Sequence, residues 1–62
     1  MAKNRTPASI LIVDDEAPFR EVLTAILKPE GYWVESAADG VEAINAVQNS
    51  FFDLVLLDVH MP

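Results

Sequence analysis

Acidic side chains follow two short apolar runs of the sequence, at a spacing suited to binding a cation. The first run, Ile10–Val13, ends in Asp14 and Asp15, and the second, Leu54–Leu57, ends in Asp58. Apolar runs without polar alternation are typical of strands buried on both faces of a parallel sheet. Open α/β sheets bind ligands at the carboxyl ends of such strands. If the two strands are neighbours, we expect their terminal carboxylates to converge, with Glu16 close by.

Clustered carboxylates repel one another, and a small hard cation relieves that repulsion. Mg²⁺ takes oxygen ligands and commonly combines one or two carboxylates with phosphate oxygens. Asp58 would then be free to act as a nucleophile while Asp14 and Asp15 hold the ion, which favours phosphoryl transfer to Asp58. The alternative is a strand that stops at a polar loop residue, because Asp often marks strand ends. His60 is best interpreted as a solvent-facing loop side chain rather than a metal ligand or general base.

Composition restricts the class of protein. The chain has 62 residues, 52% of them hydrophobic, with a net charge of −6 and no cysteine. A chain of this size forms at most one small domain. The negative charge argues against nucleic acid or an anionic membrane as a partner. Without cysteine or a long apolar N-terminal segment, we expect a cytoplasmic protein with no signal peptide and no membrane span.

The elements that would position the acids can be read from the apolar pattern. Residues 1–8 form a polar lead-in, which we expect to be flexible, and a strand follows at about Ser9–Val13. A helix then begins near Pro18 and ends near Lys28, because Pro29 cannot continue it and Gly31 supplies a turn. Its apolar residues recur at helical spacing and predict core packing against a sheet: Phe19, Val22, Leu23, Ile26 and Leu27.

The second half repeats the pattern of strand and helix. Tyr32–Ser36 alternates in polarity, which suits an edge strand. Asp39 is a good N-cap and Glu42 completes a capping-box pair for a second helix, which ends at about residues 49–50. A third strand begins near residues 52–54. The resulting βαβαβ order predicts a parallel sheet with strand order 2-1-3, in which strands one and three flank a topological switch point.

Three segments resemble, in this order and spacing, the N-terminal half of a response-regulator receiver domain of two-component signalling. The resemblance implies a truncated flavodoxin-like, doubly wound α/β fold over about residues 9–62. The segments are Ile10–Glu16, Ala38–Ala43 and Asp53–Pro62.

The same resemblance implies the roles of the acidic residues. Asp58 would be the phospho-acceptor, and Asp15 would bind Mg²⁺ directly while Asp14 assists, partly through water. The backbone carbonyl of His60 would be a further ligand. A sensor histidine kinase would donate the phosphoryl group. The chain would then be a signalling protein that assists its own phosphorylation and dephosphorylation rather than an enzyme.

The sequence departs from the family by what it does not contain. Several parts of the full receiver have no counterpart in this chain: two further strands, three helices, a Ser/Thr hydroxyl and a Lys. Lys3 and Lys28 lie in the wrong places to substitute for that lysine. We therefore expect a fragment, engineered or proteolytic, with impaired switching and an apolar strand-three edge that favours a homodimer or higher assembly.

Two other functions are compatible with the sequence. One is a structural or assembly fragment whose acids carry no phosphorylation activity. The other is a haloacid-dehalogenase-like phosphatase, which also places a nucleophilic Asp after an apolar strand. That family has a second Asp two residues further on, where this chain has His60, so it is the weaker alternative.

Overall fold

The computed structural model describes residues 7–57, which form a small α/β unit. Helices and strands alternate as the apolar pattern predicts, so the βαβαβ order is confirmed. The elements are β1 (Ser9–Val13), α1 (Ala17–Leu27), a 3₁₀ turn (Lys28–Glu30), β2 (Trp33–Ala37), α2 (Gly40–Asn49) and β3 (Leu54–Leu57).

The strands form one parallel sheet in the order β2-β1-β3. Val13, the last residue of β1, is in register with Ala37 on one side and Leu57 on the other. The predicted strand order 2-1-3 is therefore confirmed, with β2 at an edge. Ile10–Val13 are each at most 4% exposed, because this central strand is covered by neighbours in the sheet and by elements above and below it.

The helix α1 starts and stops close to the predicted positions. Glu16 is its N-cap, and Pro18 lies in the first turn, where a missing N–H is tolerated. The α-helix ends at Leu27, one residue before the predicted end, and Pro29 lies inside the 3₁₀ turn that follows. Gly31 then reverses the chain with a φ of 97°, a left-handed conformation that glycine adopts without strain.

The helix α2 begins with the reciprocal bonds that its sequence predicts. A side-chain oxygen of Asp39 accepts from the Glu42 backbone N–H at 2.9 Å. The Glu42 side chain reaches back to the Ala38 backbone N–H at 2.7 Å, one residue earlier than in the usual capping box. Both bonds provide acceptors for backbone N–H groups at the start of the helix, which have no acceptor within the helix itself.

The two helices pack on opposite faces of the sheet. Leu11, Val13 and Ala37 form a buried cluster against Ala43 and Ala46 of α2. Ile12 points to the other face, because side chains alternate along a strand, and it lines a space shared with Phe19 and Leu23 of α1. No helix in residues 7–57 has the length and apolarity that crossing a membrane requires.

The apolar residues of α1 are covered less than predicted. Phe19, Val22 and Ile26 remain 50%, 53% and 57% exposed, while Leu23 and Leu27 are half-buried. The half-buried positions of α1 are Arg20, Leu23, Thr24 and Leu27. The prediction of core packing against the sheet is therefore wrong for Phe19, Val22 and Ile26, because the narrow sheet covers only one side of the apolar stripe.

The strand β3 differs from its sequence-based expectation. We predicted a strand buried on both faces, but Leu54 is 49% and Leu57 is 64% exposed. Among residues 7–57, β3 pairs with β1 alone. An apolar run shows that a strand favours burial, but it does not determine which elements provide the cover. The predictions for residues 1–6 and for Asp58 and His60 lie outside the described residues.

Candidate functional site

Asp14 is the buried anchor of the candidate site. It directly follows β1 and is only 2% exposed. Its Oδ1 accepts a hydrogen bond from the Glu16 backbone N–H at 2.8 Å. This contact closes a tight turn of the kind that Asp favours, and it carries the chain from β1 into α1. Burial of the carboxylate is tolerated because the turn supplies a donor.

The backbone of Asp14 is held on two sides. Its N–H donates to the Ala37 carbonyl at 3.1 Å, which extends the β1–β2 ladder by one residue. Its carbonyl accepts from the Arg20 side chain at 2.6 Å. Arg20 belongs to α1, so this bond ties the first turns of the helix to the carboxyl end of the strand. The peptide that presents Asp14 and Asp15 is therefore fixed by the sheet and the helix together.

Asp15 has the opposite environment. Its side chain is exposed, directly after the buried Asp14, so its carboxylate is accessible from solvent at the carboxyl end of β1. One acid is thus enclosed by the turn and its neighbour faces outward. An exposed carboxylate leaves room for the waters that Mg²⁺ usually keeps in proteins.

The carboxyl ends of β1 and β3 lie side by side. Val13 is in register with Leu57, and Asp58 follows Leu57 in the sequence. A cavity of about 120 Å³ lies beneath these ends. Its lining comes from both strands and from α1: Ile12, Val13, Asp14, Phe19, Leu23, Leu56 and Leu57.

The residues that the structure describes include only part of the predicted site. Asp14 and Asp15 directly follow β1, whereas Asp58 and His60 fall outside the described residues. Within residues 7–57, no group of three or more His, Asp or Glu side chains is arranged to hold a metal ion. The full ligand set therefore remains a prediction.

Sequence reasoning missed two polar residues that position the strands. Arg20 lies six residues after Asp14, and nothing in the apolar pattern singles it out. Asp53 accepts from the Ser9 backbone N–H at 2.7 Å and donates its own N–H to the Ser9 carbonyl at 2.8 Å. These reciprocal bonds align the starts of β1 and β3. The signal for Asp53 in the sequence was its position directly before an apolar run.

Comparison with known proteins gives the family. The family model described as "Response regulator receiver domain" matches residues 10–62. The chain belongs to the response-regulator receiver family. The resemblance carried by the three sequence segments is thereby confirmed, and the chain is a receiver-domain segment of two-component signalling.

Curated response regulators are similar to this receiver segment over much of its length. Response regulator MprA of a Mycobacterium species is 50% identical over 56 residues, which cover 90% of this chain and 24% of MprA. DNA-binding response regulator MtrA of Mycobacterium tuberculosis is 45% identical over 53 residues, covering 86% of this chain and 23% of MtrA. The receiver segment thus spans about a quarter of these relatives.

Solved receiver structures have the same fold. Chemotaxis protein CheY4 of Vibrio cholerae superposes with a TM-score of 0.87 at 43% identity, covering 90% of this chain and 47% of CheY4. Response regulator TrrA of Thermotoga maritima, solved in complex with Mg²⁺-BeF, has a TM-score of 0.82 at 44% identity, covering 89% and 48%. The truncated flavodoxin-like fold is confirmed, and the segment matches about half of each structure.

Proposed function

We propose that this receiver segment accepts a phosphoryl group on Asp58 from a sensor histidine kinase. In this proposal Mg²⁺ is held by Asp14, Asp15, Asp58 and the backbone carbonyl of His60. The observation that carries the proposal is the parallel register of Val13 with Leu57. It brings the end of β1, which leads into Asp14 and Asp15, beside the strand that leads into Asp58.

The chemistry of the donor set fits a hard divalent cation. Asp14 and Asp15 provide carboxylate oxygens, which Mg²⁺ prefers over nitrogen or sulfur ligands. Asp15 is exposed and can bind the ion directly, whereas the buried Asp14 already uses Oδ1 for the Glu16 N–H. We therefore assign Asp14 a supporting role, partly through water. That TrrA was solved in complex with Mg²⁺-BeF supports Mg²⁺ as the cation.

The transfer is a single displacement at phosphorus. A carboxylate oxygen of Asp58 forms a bond to phosphorus while the bond from phosphorus to the histidine nitrogen of the kinase breaks, giving an aspartyl phosphate and the free histidine of the kinase. When bound, Mg²⁺ supplies charge neutralisation for the phosphoryl oxygens. The fixed peptide of Asp14, bonded to Ala37 and Arg20, keeps the neighbouring acids in place during this step.

Phosphorylation can be tested by intact mass spectrometry. The 62-residue chain is incubated with Mg²⁺ and a small phosphodonor such as acetyl phosphate. We expect a labile gain of one phosphoryl mass that requires Mg²⁺ and is lost in Asp58→Asn. Asp39→Asn is the matched control, because Asn also caps helices and residue 39 lies outside the proposed site. A gain that persists in Asp58→Asn, or no gain from folded protein, would contradict the proposal.

We further propose that the segment by itself responds incompletely to phosphorylation. No residue of the chain matches the Ser/Thr and Lys that the family uses to respond to the phosphoryl group. Amide NMR shifts on phosphorylation are then expected close to the ends of β1 and β3 and not along α2. Shifts that extend over α2 would argue against impaired switching.

A second candidate role is self-assembly, which the exposure of β3 favours. Leu54, Val55 and Leu57 are 49%, 44% and 64% exposed, and apolar strand edges tend to pair with other chains. We propose a homodimer or higher assembly formed through this edge. Light scattering should show a mass above 6.8 kDa, the monomer mass; a well-folded monomer at high concentration would argue against it.

With a net charge of −6, we propose no nucleic-acid contact by this segment.

A further inference from the structure

A cleft of about 380 Å³ opens at the end of the sheet opposite the acidic residues. It lies where β1 and β2 begin and where the connection from α2 to β3 crosses that end of the sheet. Its lining is rich in aromatic residues and contains one carboxylate: Pro7, Ser9, Trp33, Glu35, Ser50, Phe51 and Phe52. We call this feature the aromatic cleft.

The side chains of the aromatic cleft come from two elements that are held together. Trp33 and Glu35 lie two residues apart on β2, so their side chains point to the same face of the sheet. Phe52 is half-buried against the cluster of Leu11, Val13 and Ala37 on that face. This packing anchors the α2–β3 connection and places its neighbour Phe51 at the rim.

Two aromatic rings of the cleft are largely open to solvent. Trp33 is 62% and Phe51 is 79% exposed. Single exposed apolar residues are common, but large aromatic side chains gathered in one cleft are typical of binding surfaces. Their ring faces carry partial negative charge and attract cations.

The charges of the cleft favour the same kind of ligand. Glu35 contributes an exposed carboxylate, and no Lys or Arg occurs among the described residues that line the cleft. The chain as a whole carries a net charge of −6. A cation with a flat, apolar body therefore complements the described lining of the cleft.

We propose that the aromatic cleft binds a guanidinium group, presented as an arginine side chain of a polypeptide partner. A guanidinium plane stacks on aromatic rings and donates paired hydrogen bonds to a carboxylate. A quaternary ammonium group could pack on the aromatic rings, but it has no N–H to donate to Glu35. A neutral amide has no charge to interact with the rings or with Glu35. The site is independent of Asp58 and of the proposed phosphorylation, since it lies at the other end of the strands.

The binding can be followed at a single reporter. Trp33 is the sole tryptophan of the chain, so one indole N–H resonance reports on the cleft. The full chain is titrated with N-acetyl-arginine amide and, separately, with the citrulline analogue, which has nearly the same shape without the charge. We expect a saturable shift of the indole resonance with the arginine probe, at millimolar concentration, and at least a threefold weaker response to the citrulline probe.

Variants separate the cleft from general charge attraction. Glu35→Gln should weaken arginine binding roughly two- to fivefold, the range typical of an exposed ion pair, and Phe51→Ser should also weaken it. Glu21→Gln removes the same charge from an exposed position on α1 and should leave the titration unchanged. Equal responses to arginine and citrulline, no saturable shift, or equal losses in the Glu35 and Glu21 variants would each overturn the proposal.

Discussion

Asp14 shows how one carboxylate can serve the local fold and a proposed metal site together. The turn from β1 to α1 depends on the bond from the Glu16 N–H to Asp14 Oδ1. The same residue is almost fully buried, so its loss would leave a backbone donor without its partner. Substitutions at this position should therefore affect folding as well as any cation binding.

We predict that Asp14→Ala lowers the free energy of unfolding by about 1–3 kcal/mol in Mg²⁺-free buffer, because the hydrogen bond to a charged acceptor is lost. Asp14→Asn keeps an acceptor oxygen and should cost clearly less. Urea denaturation measures both. Asp15→Ala, at an exposed position, is the control and should change stability by less than about 0.5 kcal/mol. Equal losses for the Ala and Asn variants of Asp14 would contradict this account of the turn.

The two glycines of the chain offer a matched test at the residue scale. Gly31 has a φ of 97°, Gly40 has an ordinary helical conformation, and a Cβ at either position would meet nothing within 4 Å. Any effect of alanine therefore comes from backbone conformation rather than from contact.

Gly31→Ala should destabilise the chain by about 1–2 kcal/mol, because an L-residue is strained in the left-handed region. Gly40→Ala should stabilise it by up to about 1 kcal/mol, because alanine reduces the entropy of the unfolded chain. Thermal unfolding followed by circular dichroism measures both. The opposite sign at either glycine would show that the turn or the helix start differs from the one described.

At the scale of elements, the start of α2 depends on two reciprocal side-chain bonds. Asp39→Ala should cost about 1 kcal/mol, because the Glu42 N–H loses its acceptor. Asp39→Asn should cost only a few tenths of that, and Gln48→Ala, an exposed change within the same helix, should be close to neutral. Urea denaturation of the three variants provides the comparison. A neutral Asp39→Ala would mean that α2 is stabilised by packing alone.

The features that could be predicted from the sequence are those that depend on residues close together in the chain. The cap at Asp39, the helix stop near Lys28 and the positions of the strands depend on neighbouring residues, and they were predicted. The exposure of β3 and of Phe19 on α1 depends on which other elements provide cover, which no local pattern records. The bond from Arg20 to Asp14 is local, across only six residues, but it depends on the geometry of the turn from β1 into α1, which the apolar pattern does not record.

At the scale of the whole molecule, a small packed cluster is surrounded by exposed apolar surface. The cluster lies around Leu11 and Val13 on the α2 face, while large apolar side chains stay exposed on both faces of the sheet and on β3. The solved receivers that this segment resembles contain about twice as much chain. The association through β3 that we propose would cover the part of that surface that lies on β3.

We predict that Leu54→Lys shifts the assembly toward monomer, because a charged residue on an edge strand disfavours pairing with another chain. Analytical ultracentrifugation at several concentrations measures the change. Gln48→Lys adds the same charge on α2, away from β3, and should leave the association unchanged. If both variants dissociate equally, general charge repulsion rather than the β3 edge controls the assembly.

The central place of β1 also has a consequence for synthesis on the ribosome. Ser9 at the start of β1 is bonded to Asp53, 44 residues later in the chain. At a translation rate of roughly 5–20 residues per second, the second neighbour of β1 is made some 2–9 seconds after β1 itself. During that interval the most buried strand has at least one open side. A nascent chain of this fold therefore presents its own future core to chaperones before it can close the sheet.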